Sequence, residues 1–314
     1  MKTFLWIPGE GYDIAAVKRL QENFTCPSKP MGEPWFNTDN RVMYDYLSGD
    51  ISKIKVNELM TPLEAISSGT SSFGHEDEWW SPWFHYLMGQ LMRKNHEKYV
   101  DYLLEYLITA FISQYPDCVS NEPYVGFKED AINTLGKCIM DAECWNENKI
   151  VMGKVLCSSN NNPARYWGWD KASGDFSASM FFCLKYLRSE QISEWCKSVL
   201  EIESPHWSAQ LIVWLVGAHK ILNGEQKHPS EFSGNPDIGW AWSHDVDGFQ
   251  NYLPESQRKP TVFLPKENSS IFLSTVRSYI NEQVYLDWLT SISEYDYIEA
   301  EMGGIPNQFE ELYI

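Results

Sequence analysis

The residues best able to do chemistry sit in a few short stretches of this 314-residue chain. His244-Asp245-Val246-Asp247-Gly248 places a histidine beside an Asp-x-Asp-Gly run, a pattern that can begin a metal or calcium loop. A calcium loop of the EF-hand kind needs alternating oxygen ligands, a glycine at the sixth position and a closing glutamate at the twelfth, and this stretch does not supply that spacing. Asp and Gly favour turns, so a turn is expected here. Tyr166-Trp167-Gly168-Trp169-Asp170 and Trp240-Ala241-Trp242-Ser243-His244-Asp245 are two loops with a Trp-x-Trp core followed by an acid. On an α/α barrel such loops would line a sugar groove, with Trp as platform and Asp170, Asp245 or Asp247 as acid or nucleophile. The competing expectation, which is preferred, is that these tryptophans plug their loops onto a helical core. The carboxylate separation that glycoside hydrolysis demands is set by the fold and is not readable from the sequence.

The remaining titratable groups offer less. His75-Glu76-Asp77-Glu78 lacks the His-x-x-x-His spacing of a helical zinc site, and acids there suit the positive end of a helix beginning at Ser81. His85 and His96 lie 11 residues apart, about 16 Å along an unbroken helix, too far to share a metal. His206 and His219 point to different helix faces, so all seven histidines are expected to be structural. No nucleophile elbow, phosphate-binding loop or dinucleotide fingerprint occurs in a useful context, and no His singles itself out as partner to a Cys. The expectation is a protein without catalysis, cofactor or metal.

Composition bounds the alternatives. Lys plus Arg number 25 against 43 Asp plus Glu, a formal charge of −18. Nucleic-acid binding needs clustered cations and is not expected. An acidic balance favours solubility and can steer a basic partner. Fourteen Trp, 17 Tyr and 15 Phe supply core anchors and, where exposed, interface anchors. The opening MKTFLWIPGEGYD is too short in apolar length for a signal peptide, and no apolar run approaches the about 20 residues needed to span a membrane. Cysteines at 26, 118, 138, 144, 157, 183 and 196 are odd in number and form no CxxC pair. They read as reduced, mostly buried thiols of a cytoplasmic protein.

The elements that must carry these residues are helical. The strongest pattern is 79–115, where Trp80, Trp83, Phe84, Leu87, Met88, Leu91 and Met92 make one stripe and Val100, Leu103, Leu104, Leu107, Ile108 and Phe111 a second. Ser81-Pro82 opens the first, Pro116 stops the second, and the polar Lys94–Glu97 break predicts an antiparallel helical hairpin. Upstream, residues 3–7 read as a short strand or an anchor. Asp13 caps a helix over 14–24, and residues 25–40 read as loop. Helices follow over 41–47 and 51–60, Thr61-Pro62 starts another, and SSGTSSFG is a connector. Downstream come helices over 127–144 and 149–157, then the 158–174 loop. Three more occupy 175–222: one with Phe176, Met180, Cys183, Leu184 and Leu187, one with Ser189 as cap, and one opening at Ser204-Pro205 and ended by Gly224. Residues 223–269 lack periodicity, with short strands conceivable near 261–264. Helices resume over 270–281 and 282–295, before a tail, GGIPNQFEELYI.

These stripes predict an all-α fold of stacked antiparallel helical hairpins, solenoid-like or α/α layered, with a short strand at either end as an option. The chain reads as one domain over 1–314, with the 158–174 loop the place to divide it into 1–157 and 175–314. Ser81-Pro82-Trp83 and Ser204-Pro205-His206-Trp207 start helices alike, a hint of repeated units. The hairpin at 79–115 and the cluster at 175–222 resemble paired helices of HEAT-like repeat proteins, which mostly serve as binding surfaces. Acidic, helix-rich proteins of this kind also resemble immunity proteins of bacterial toxin systems, which bind and block a cognate toxin. That resemblance implies a basic protein partner.

The clearest charge feature fits such a partner. From Ser278 to Ile314 there is no Lys or Arg, while Glu282, Asp287, Glu294, Asp296, Glu299, Glu301, Glu310 and Glu311 are acidic. The candidate partner-binding residues are therefore Glu294, Tyr295, Asp296, Tyr297, Glu299 and Glu301. Phe309 and Tyr313 are further aromatic anchors, and the Trp240–Trp242 loop is the second choice.

Overall fold

The computed structural model describes residues 3–29, 31, 44–73, 80–92, 103–147, 149–151, 169, 171–232, 234–241, 243–246 and 262–314. Among these the fold is all-α: twelve α-helices and one pair of two-residue strands, which lies in mid-chain and not at an end. None of these helices is long and apolar enough to cross a membrane. The chain divides into two compact units. The N-terminal unit comprises Tyr12–Cys138 and Trp242–Thr261, and the C-terminal unit comprises Met1–Gly11, Ile139–Ala241 and Val262–Ile314. Apart from Trp169 and 171–174, the 158–174 loop lies outside the described residues, as does the 93–102 break of the expected hairpin.

In the N-terminal unit, α1 (Ile14–Asn23) begins as expected, with the Asp13 side chain accepting from the Ala15 N–H at 2.8 Å. The next helix corrects the sequence reading. α2 (Val56–Phe73) runs straight through Thr61-Pro62 and the SSGTSSFG stretch. Proline at 62 has no N–H for the Glu58 carbonyl four residues back. That carbonyl instead accepts from the Tyr46 hydroxyl at 2.8 Å, so the break a lone proline would cause is offset from outside the helix. Ser67 and Ser68 turn their hydroxyls back to the carbonyls of Leu63 and Glu64, which satisfies them without leaving the helix. Upstream, 45–48 and 51–53 form 3₁₀ turns where α-helix was expected.

α3 (Ser81–Leu91) and α4 (Leu103–Gln114) carry the two stripes of the strongest pattern. Trp80, not Ser81, takes the cap position of α3, and Ser81 Oγ lies 3.3 Å from His85 Nδ1. α4 is buried around nearly its whole girth and packs chiefly on α2, more than on its sequence neighbour α3. α5 (Phe127–Thr134) gives way to a 3₁₀ turn over Leu135–Met140, where one longer helix was expected. The stripe residues Phe127, Ala131, Leu135, Cys138 and Ile139 are all buried, and the three-residue step from Leu135 to Cys138 is the 3₁₀ period.

α5 is tied to α1 by a forked ion pair. The Arg19 guanidinium donates through Nη2 to Asp130 Oδ1 at 2.6 Å and through Nε to Oδ2 at 2.9 Å, and the Tyr124 hydroxyl donates to the same carboxylate at 2.7 Å. Asp130 is buried while Arg19 is half exposed. Asp130→Ala is expected to cost about 2 kcal/mol, because a half-screened charge-assisted cluster is lost. A smaller change in urea-unfolding free energy would assign the α1–α5 contact to packing alone.

His85 lies inside an aromatic cage, stacked on Phe24 at 4.7 Å, with its Nε2 2.6 Å from the Tyr115 hydroxyl. Burial pushes its pKa down from 6.5 to about 4. The unfolded chain therefore binds more protons between those values. Stability is intact above pH 6.5 and is lost as pH falls toward 4. From about pH 7 to about pH 5 this group alone costs about 2 kcal/mol. His85→Phe should shrink the difference between unfolding free energies at those two pH values by that amount. An unchanged difference would place the acid sensitivity elsewhere.

The C-terminal unit is built on three helices in quick succession: α6 (Gly174–Tyr186), α7 (Ser189–Leu200) and α8 (Pro205–Leu222). The expected stripes on all three are buried. Arg188, not Ser189, caps α7, while Ser204 and Pro205 start α8 as expected, and Gly224 at φ +81° ends it. β1 (Trp145–Asn146) pairs antiparallel with β2 (Lys149–Ile150). The helix expected over 149–157 is corrected at its start, and 152–157 lies outside the described residues. Residues 3–7 are an anchor and not a strand: Trp6 is buried with its ring 5.4 Å from Trp195 and 5.9 Å from Trp207.

α8 is apolar all round, as a central helix must be. α9 (Lys266–Tyr279), α10 (Glu282–Ile292), α11 (Asp296–Met302) and α12 (Ile305–Tyr313) all pack on it. The strands conceivable near 261–264 do not form over the described 262–264. The terminal stretch, read as a tail, is helix: Ile305, Phe309 and Tyr313 fall at i, i+4 and i+8 and are buried, and the Tyr313 hydroxyl donates to the Leu215 carbonyl at 3.0 Å. The non-periodic stretch also reaches the core. Gly239, at φ +68°, comes so close to the Ala172 carbonyl that no side chain fits there. Of six described cysteines, four are buried and Cys26 and Cys118 are exposed; all are free thiols.

Candidate interaction surface

The acidic residues of the C-terminal end are spread over α10, α11, α12 and the turn before α11. Glu282, Asp287, Glu294, Asp296, Glu299, Glu301, Glu310 and Glu311 are all exposed, and none forms an ion pair among the described residues. At the α7–α8 turn a groove of about 600 Å³ opens between Glu201, Glu203 and Pro205 on one side and Tyr279, Asp287 and Trp288 on the other. The Tyr279 hydroxyl is pushed up by burial first, then by the negative charges of Glu201 and Glu203. Three carboxylates and two aromatic side chains thus line one groove, a combination chemically suited to a cation.

Next to the groove, Pro205 leads into His206, and α10 leads into Tyr295. His206 stands with its ring 4.8 Å from that of Tyr295, and its Nε2 lies 2.6 Å from the Tyr297 hydroxyl. Burial holds the His206 pKa below its ordinary value, so at neutral pH the ring is uncharged and Tyr297 can donate to it. Trp169 is buried beneath, 5.5 Å from the His206 ring, and its backbone N–H donates to Glu301 Oε2 at 3.1 Å. Tyr297 is nonetheless 45% exposed. The side chain is thus held in one orientation while most of one face meets solvent, the state a preorganised contact requires.

The structure brings Tyr295, Tyr297 and Glu301 together and leaves Glu294, Asp296 and Glu299 exposed around them. It corrects three other candidates. Trp240 is only 3% exposed and stacks on Phe181 at 5.6 Å, so it plugs its loop onto α6. Phe309 and Tyr313 are spent on α8. Trp242, Trp167, Asp170 and Asp247 lie outside the described residues, as do the side chains of His244 and Asp245; the backbone of 243–246 forms a 3₁₀ turn. Among the described residues no group of His, Cys, Asp and Glu is arranged to hold a metal. The sequence reading missed Glu201, Glu203 and Trp288. Trp288 lies within the helix read there over 282–295. Compared with known proteins, the chain matches no family model, no curated protein and no solved structure at a significant level.

Proposed function

We propose that the chain is a non-enzymatic binding protein for a basic protein partner, in its most concrete form a cytoplasmic immunity protein that neutralises a toxin. The observation that supports this reading is the groove in which Glu201, Glu203 and Asp287 meet Tyr279 and Trp288, in a unit whose residues 278–314 carry eight exposed carboxylates and no Lys or Arg. The −18 charge speeds encounter with a basic partner from beyond contact range, within about one 8 Å Debye length at physiological salt. Charge alone gives speed and little specificity, so a Lys or Arg of the partner entering between Glu201, Glu203 and Asp287 supplies the anchor. The all-α scaffold suits this role, because packed helices hold surface side chains on a rigid frame.

The test is capture from the native host, including the products of neighbouring genes. The expected prey is a basic protein whose retention weakens as salt rises, and weakens about tenfold further when Glu299 and Glu301 are changed to Lys. Capture that ignores both salt and those reversals would remove the acidic C-terminal end from the account. Retention of a small molecule with no protein partner would overturn the reading.

A further inference from the structure

We propose that a second, cationic cleft on the C-terminal unit binds a small organic anion of nucleotide size, with a phosphate or carboxylate carried on an apolar body. The cleft has a volume of about 680 Å³ and lies between the end of α8 and one face of α9. That volume is within the range of small-molecule sites. The α9 residues lining it are 266, 269, 270, 273, 274 and 277, which is one helical stripe. Along that stripe stand Lys266 at one end, Arg277 at the other, and serines with Leu273 between. The small serines leave the space open and offer hydroxyls.

Lys227 lines the cleft as well, so three cations share it in a chain with 43 acids and 25 bases. None of the three side chains has an ion pair or hydrogen bond to a described residue. Two carboxylates near the rim are hydrogen-bonded: Glu231 accepts from the Lys227 N–H at 2.7 Å, and Glu225, between the lining residues Gly224 and Gln226, accepts from the Asn223 side-chain amide at 2.8 Å. Three cations lining one cleft, none of them ion-paired to a described residue, raise the local positive potential in a chain whose net charge is negative, and over a few ångströms the local charges dominate. The floor is apolar, formed by buried Leu264 and Leu273, and Val262 on the wall is 63% exposed. Arg277 and Lys266 start about 16 Å apart along the helix, so their long side chains stand at the two ends of the lining stripe. This combination distinguishes the cleft from the acidic groove at α10, and the two sites are independent.

The probe is 1-naphthyl phosphate, titrated into the intact chain by calorimetry, with inorganic phosphate and 1-naphthol as the charge-only and body-only comparators. One-to-one binding is expected, at least tenfold tighter than either comparator. The Lys266→Glu/Arg277→Glu double variant should lose at least tenfold in affinity and Ser274→Trp should abolish binding, while Glu201→Lys leaves it unchanged. Because those variants can disturb folding, a second readout uses the wild-type chain: acetylation of Lys227 and Lys266 should slow several-fold when the probe is present. Equal affinity for inorganic phosphate, indifference to both cleft variants, or unchanged acetylation of the two lysines would overturn the proposal.

Discussion

Trp214→Ala is expected to cost the C-terminal unit about 4 kcal/mol, the largest effect of any single core truncation in the account. Trp214 is fully buried on α8, with its ring 5.2 Å from Phe181, 6.2 Å from Phe176 and 6.0 Å from Phe272. These partners come from α6 and α9, so one side chain holds three helices. Removing it leaves a cavity that rigid helices cannot close, and the cavity adds to the lost transfer energy. The same geometry predicts a mild outcome for Trp214→Phe. The indole Nε1 is buried and has no acceptor among the described residues, so its desolvation already works against the fold. A phenyl ring gives up some area but also removes that orphan donor, for a net cost of under about 1.5 kcal/mol. Urea unfolding followed by circular dichroism separates the two. Similar costs for Ala and Phe would mean that Trp214 does not organise the packing of α8.

Trp288→Ala is expected to weaken the basic partner about 30-fold, close to 2 kcal/mol, while leaving thermal unfolding almost unchanged. Trp288 lines the acidic groove and is half-buried, so its truncation removes contact area for an inserted cation without opening the core. Asp287→Lys should do as much through charge, with an effect that shrinks in high salt; the Trp288 effect should not shrink. Tyr297→Phe is the control beside the groove. It loses the hydroxyl that lies 2.6 Å from His206 Nε2 and keeps the ring, so it should change affinity less than fivefold. Affinity unmoved by Trp288→Ala and Asp287→Lys together would place the anchor outside the groove.

How much of this was legible in the sequence follows from the range of the forces involved. The stripes of α6, α7 and α8 could be read because burial on one or more faces imposes a 3.6-residue period that survives in any context. α2 was misread because Thr61-Pro62 reads locally as the start of a new helix, and what lets one helix run through Pro62 is the hydroxyl of Tyr46, twelve residues before Glu58. The strand pair at 145–150 is too short to show alternation. The terminal helix carries its spacing openly in Ile305, Phe309 and Tyr313, yet it follows Gly303-Gly304 and spans only about two and a half turns, so it reads as a tail. For the candidate surface, charge was visible and shape was not. The cation-free end could be counted along the chain. The groove could not, because Glu201 and Glu203 on one side and Asp287 and Trp288 on the other meet only through the packing of α10 on α8.

The most direct test of the central claim is hydrogen–deuterium exchange of the chain, alone and saturated with the basic partner that it captures. Slowed exchange is expected at 200–205 and across 282–302, which hold the groove and the acidic residues of α10 and α11, with little change in α2–α4. Protection confined to the N-terminal unit, or none at all on either side of the groove, would contradict it.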